Sequence, residues 1–85
     1  MSDQANKALS MRQDKHAQRM RILEALRLSP KTTYDLRRMG IFQAPTRVFE
    51  LRAMGYPILT SRVRVIDQGG YAHNGVALYQ LDGQS

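Results

Sequence analysis

Proline and glycine punctuate this chain at short intervals, and that spacing limits its fold more than any other feature. Ser29-Pro30, Gly40 and Gly55 each close a short stretch whose apolar residues recur with helical period. After Gly55 the period changes. Tyr56 to Ile66 is rich in β-branched and aromatic residues, and Tyr71 to Leu81 runs extended again after Asp67-Gln68-Gly69-Gly70, the signature of a β-hairpin. At 85 residues there is room for one small domain, and such a domain must close its core from short pieces.

Three helices are predicted. The first runs from about His16 to Leu28, with Ile22, Leu23 and Leu26 as its apolar stripe; the residue before proline is pushed out of the α region, so Ser29-Pro30 stops it. The second opens at Thr32-Thr33-Tyr34-Asp35, a capping box with Asp in the place of Glu or Gln. Leu36 and Met39 give it a buried face, and Gly40 suits the left-handed residue that ends a helix. The third spans Ala44 to Met54, with Pro45 in its first turn and Ala44, Val48 and Leu51 facing inward. Phe49 falls off that stripe, where it packs on the second helix or the tail, or lies in an interface.

The order of elements is that of an α+β winged helix-turn-helix: a three-helix core followed by a two-stranded β-hairpin wing. A short β-segment at Lys31-Thr32 would add a third strand. A hairpin symmetric about Gln68-Gly69 puts Ile58 opposite Tyr79, Tyr56 opposite Leu81 and Arg64 opposite His73. Cross-strand partners share a face, so Tyr56, Ile58, Tyr79 and Leu81 would pack on the helices while Arg62, Arg64 and His73 extend outward. Asn74-Gly75 is a further turn signal, fitting a bulge or a longer tip. Residues 1–15 are polar without a sustained period and read as a flexible tail, 16–82 as the domain, and 83–85 as a C-terminal tail.

Charge narrows the function. Thirteen Lys+Arg against seven Asp+Glu give a formal +6, a surplus that favours polyanions. Ten of the thirteen cations are Arg, whose planar fork suits phosphates and guanine edges. Residues 16–40 hold six cations and two anions. The absence of cysteine excludes a disulfide framework, a thiolate metal site and a cysteine nucleophile. His16 and His73 are far apart, and no paired-carboxylate or His-x₃-His spacing offers a general acid–base pair or a metal site. Gly69-Gly70 is a turn, since no helix with Lys-Ser/Thr follows it as a phosphate loop requires. The expectation is a protein that is not an enzyme, needs no cofactor and binds no metal. With no apolar run of membrane length and no secretory leader pattern, no membrane association and a cytoplasmic setting are expected.

The run ILEALRLSPKTTYDLRRMGIFQAPTRVFELRAMGYPI, followed by a strand pair ending ALYQL, resembles small winged helix-turn-helix domains of phages and prophages. Gly40-Ile41, Arg47-Val48, Leu51-Arg52, Gly55-Tyr56, Ile58 and Tyr79-Gln80-Leu81 carry the likeness, which covers residues 16–82. It implies sequence-specific binding of double-stranded DNA for transcription control or recombination, in a bacterial nucleoid or a phage-infected cell.

With the third helix in the major groove, its N-terminal residues reach base edges first. Arg47 is then a candidate for guanine, Gln43 for adenine, Glu50 for a cytosine amino group and Thr46 for a phosphate or a thymine methyl. Arg47 has a competing role, pairing with Asp35 or Glu50 to orient the helix. Arg37 and Arg38 end the second helix, where they complement its dipole or clamp a phosphate. Thr33 offers a hydroxyl beside free backbone N–H groups. Arg62, Arg64 and His73 are the wing candidates for the DNA backbone. Homodimerisation on a repeated site and side-by-side binding along direct repeats both stay open. A second reading is a winged helix used to dock a protein partner, which a hydrophobic patch on the third helix would favour. A third is single-stranded nucleic acid stacked on Phe42 and Tyr71.

Overall fold

A computed structural model describes residues 14–83. The tail expected before them lies, over residues 1–13, outside the described residues, as do residues 84–85. Helix α1 spans Lys15–Leu28, strand β1 Lys31–Thr32, helix α2 Thr33–Arg38, helix α3 Ala44–Ala53, strand β2 Ile58–Ile66 and strand β3 Ala72–Leu81. The strands form one antiparallel sheet in the order β1-β3-β2. This is the winged helix-turn-helix expected, and Lys31–Thr32 is indeed the third strand.

Local chemistry sets the helix ends. Asp14 caps α1 by accepting the Ala17 N–H at 3.0 Å, and Ser29 leaves the helix in extended conformation. The capping box of α2 is complete: Asp35 N–H donates to Thr32 Oγ1 at 3.0 Å, and Thr32 N–H donates to Asp35 Oδ2 at 2.9 Å. Gly40 and Gly55 have φ of 88° and 103°, a region that costs other residues strain. Each sits in the same double-bonded C-terminal motif. Ile41 N–H reaches Leu36 O at 3.0 Å and Gly40 N–H reaches Arg37 O at 2.9 Å; Tyr56 and Gly55 repeat the pattern on Leu51 and Arg52 at 3.1 and 3.0 Å. The motif turns Ile41 back beside Leu36, where both are buried in the core.

That core joins Ile22, Leu23 and Leu26 of α1, Leu36 of α2, Ile41, and Ala44, Val48 and Leu51 of α3 to Ile58, Ala77, Tyr79 and Leu81 of the sheet. Met20, Met39 and Tyr56 pack at its edge. Each large apolar side chain so buried contributes about 1.5–3 kcal/mol. The wing grows out of the sheet that closes this core, so its angle is set by the same packing.

The hairpin register differs from a symmetric turn in two places. Asp67 N–H donates to Tyr71 O at 2.9 Å and Gly70 N–H to Asp67 O at 3.0 Å, which makes Gln68–Gly70 a three-residue loop closed by Gly70 at φ 85°. Further along, a bulge lies between Val63 and Val65, where Asn74 and Gly75 together face Arg64, with Gly75 at φ 70°. Loop and bulge each shift the pairing by one residue. Together they put Ile58 opposite Leu81 and Thr60 opposite Tyr79. A shift of two preserves the faces, so Ile58, Tyr79 and Leu81 are buried as expected. Beyond the bulge only the loop's shift applies. His73 pairs with Val65 and is out of phase with Arg62 and Arg64, correcting the expectation that the three share a face.

Candidate nucleic-acid interface

Helix α3 buries Ala44, Val48 and Leu51. The complementary residues, Pro45, Thr46, Phe49, Arg52 and Ala53, are all exposed, and their i, i+1, i+4, i+7, i+8 spacing makes one outward face. Gln43, at the N-cap, is also exposed. Of the four residues expected at base edges, the structure therefore places Gln43 and Thr46 on the surface.

Arg47 and Glu50 lie differently. Arg47 is only 5% exposed, with its Nε 3.2 Å from Glu50 Oε1. The same carboxylate oxygen accepts from Arg19 Nη1 of α1 at 2.8 Å. One acid thus sits between two guanidiniums and ties α3 to α1. Of the two roles open to Arg47, the pair with Glu50 is the arrangement in the structure; a guanine contact would require the side chain to leave its buried seat. Arg52 is engaged as well: its Nε donates to Ile58 O at 2.7 Å, and its Nη2 to Thr60 Oγ1. Helix α3 consequently offers no unengaged cation.

Exposed cations also border α3 from α2 and the wing. Thr33, Arg37 and Arg62 line one open cleft of about 320 Å³, together with Tyr34, Pro45 of α3 and the β3 segment at Gly75–Ala77. Thr33 Oγ1 donates to Ala77 O at 3.5 Å, and Arg62 Nη1 donates to Gly75 O at 3.3 Å. The bulge thus seats Arg62 beside the first turn of α3. A second cleft of about 470 Å³ lies between the outer flank of α2 and the wing tip, lined by Tyr34, Arg37, Arg38, Val65, Asp67, Gln68 and Gly69. Arg38 pairs with Asp35 at 3.1 Å, whereas Arg64 is exposed and makes no hydrogen bond or ion pair among the described residues.

His73 is held inward. Its Nε2 lies 2.8 Å from Asp67 Oδ2, and its ring meets Tyr34 edge-on with centroids 5.3 Å apart. The Arg37 guanidinium lies over the Tyr34 ring, 5.9 Å from its centroid, within cation–π range. The bond to His73, followed by the backbone N–H of Tyr71, holds the Asp67 carboxyl below the usual carboxylate range. Asp67, His73 and Tyr34 therefore fasten the wing tip to α2, a grouping the sequence reading missed. Its only sequence signal is Asp67 at the hairpin turn.

Phe49 and Phe42 are the larger surprise, 70% and 69% exposed. Packing of Phe49 on α2 is thereby corrected; the interface reading fits its position. Its place off the buried stripe of α3 is the sequence signal for it.

Among the described residues no helix is long and apolar enough to cross a membrane, and no group of three metal-ligating side chains gathers. A family model described as a winged helix-turn-helix domain matches residues 17–83. No curated protein and no solved structure matches the chain.

Proposed function

The chain belongs to this winged helix-turn-helix family, and from that premise we propose that it is a sequence-specific double-stranded DNA-binding protein. Helix α3 lies in the major groove and the β2–β3 hairpin on the DNA backbone. Its resemblance to phage and prophage domains supports a regulator of transcription or a recombination or architectural factor. The observation that carries the reading is the cleft that gathers Thr33, Arg37 and Arg62 against Pro45 in the first turn of α3. Backbone contacts in such an arrangement fix the register of the helix, and base contacts specify the sequence. Gln43 and Thr46 take the base edges, Arg37, Arg38, Arg62 and Arg64 the phosphates, and Arg47 and Glu50 support the helix from beneath.

Fluorescence anisotropy with a random 30-base-pair duplex across a salt series tests this. Four phosphate-bound arginines give a log K against log salt slope between about −3 and −4. Replacing both wing arginines, Arg62→Ala with Arg64→Ala, reduces that slope by about 2. Absence of binding at low salt refutes the proposal. The second reading, a docking module for a protein partner, draws on one specific observation: exposed Phe49 on a helix face without an unengaged cation. A protein partner captured through that face, with no duplex binding, would establish it.

A further inference from the structure

Both cations of α3 are engaged, Arg47 with Glu50 and Arg52 with Ile58 and Thr60, which turns attention to the apolar residues of its outward face beside Gln43 and Thr46. The outward face of α3 presents Pro45, Thr46, Phe49 and Ala53, with Phe42 exposed just before the helix. We propose that Phe49, with Phe42, determines specificity by apolar contact with the 5-methyl groups of thymine in the major groove. The inference rests on the DNA-binding reading above and adds the base it selects.

Three observations favour this occupant. Exposed aromatic area is costly in water and gains when covered, and the groove edge offers one apolar group, the thymine methyl. The cover must also be anionic around its rim. Arg37 and Arg62 flank the first turn of α3, with Arg38 and Arg64 further out along α2 and the wing, so the apolar strip is bordered by groups suited to phosphate. The one acid on the flank of α3, Glu50, has its charge taken up by Arg19 and Arg47. Pairing this half-buried acid with two guanidiniums reduces the repulsion a free carboxylate would exert on the duplex.

The experiment is a selection of preferred duplexes from a random pool, followed by anisotropy on the selected site made with dT or with dU, which lacks only the methyl. The expected result is a site with thymine opposite α3 and a loss of about fourfold for each contacted methyl removed. Phe49→Ala should bind the dT site at least about tenfold more weakly and should no longer distinguish dT from dU. Phe49→Leu, which keeps an apolar side chain, should retain part of the distinction. Equal wild-type affinity for the dT and dU sites overturns the inference, as does a Phe49→Ala variant that still discriminates. Salt-dependent duplex binding with no thymine preference defeats this inference and leaves DNA binding standing; no duplex binding at all defeats both. Sedimentation analysis of the same proteins separates self-contact, since a dimer that Phe49→Ala dissolves would assign the face to a second copy.

Discussion

Replacing Glu50 with Gln removes one negative charge from between two guanidiniums and keeps the shape of the side chain. Glu50 Oε1 is 2.8 Å from Arg19 Nη1 and 3.2 Å from Arg47 Nε. Arg47 is almost wholly buried, while the side chains of Arg19 and Glu50 keep 19% and 28% of their exposure. Breaking a fully buried pair costs about 3–5 kcal/mol, because the remaining charge is left uncompensated. Partial exposure of two members brings the expected cost to about 2 kcal/mol. For a domain of this size each kcal/mol moves Tm by about 4–8 °C, so Glu50→Gln should melt about 8–16 °C lower by circular dichroism. Arg47→Met in the Glu50→Gln background should recover part of the loss, since an apolar side chain needs no counter-charge there. A drop under about 2 °C would refute the reasoning, showing that the triad contributes no more than an exposed ion pair.

Gly55→Ala should lower Tm by about 4–16 °C: at φ 103° the left-handed backbone costs an L-residue about 1–2 kcal/mol, and open space around an added Cβ means no clash adds to it. Unchanged stability would show that the helix end is free to relax. The depressed Asp67 carboxyl carries an acid dependence with a definite sign. Its contribution is complete above about pH 4, near the unfolded value, and fades as pH falls through its lower folded value. The amide shifts of Gly69 and Tyr71, both bonded to Asp67 Oδ1 at 2.9 Å, should therefore titrate below pH 4 by NMR. A midpoint above that would contradict the wing-tip fastening.

What the sequence revealed, and what it withheld, divides along the range of the interactions. Helix ends at Thr32–Asp35, Gly40 and Gly55 were legible because each is fixed within a few residues by a cap or a left-handed glycine. The inward stripes of all three helices were legible for the same reason; the short strand at Lys31–Thr32 was also anticipated, from the order of elements, although its partners Tyr79 and Leu78 are distant in sequence. The hairpin register was not, since a third loop residue and the Asn74-Gly75 bulge each moved the pairing, although their sum restored the buried face. At the candidate site the gap is wider. The seat of Arg47 depends on Glu50 and on Arg19, 31 residues before Glu50, and no local pattern shows such a partner. Half of the His73 seat was withheld likewise: its bond to Asp67 is local to the hairpin, but its edge-on contact with Tyr34 forms only when the wing packs against α2. Arg62 and Arg64 are exposed on the wing, where alternation along the strand had put them.

The most direct test of the account is where duplex DNA touches the protein. NMR of the isotope-labelled chain titrated with the selected duplex should shift signals of Thr33, Arg37, Gln43, Thr46, Phe49, Arg62 and Arg64. The separate basic cleft formed by Arg21, Glu24, Arg27 and Lys31 between α1 and the end of α2 should stay unchanged. Shifts centred on Arg27 and Lys31, with α3 and the wing silent, would contradict the central claim.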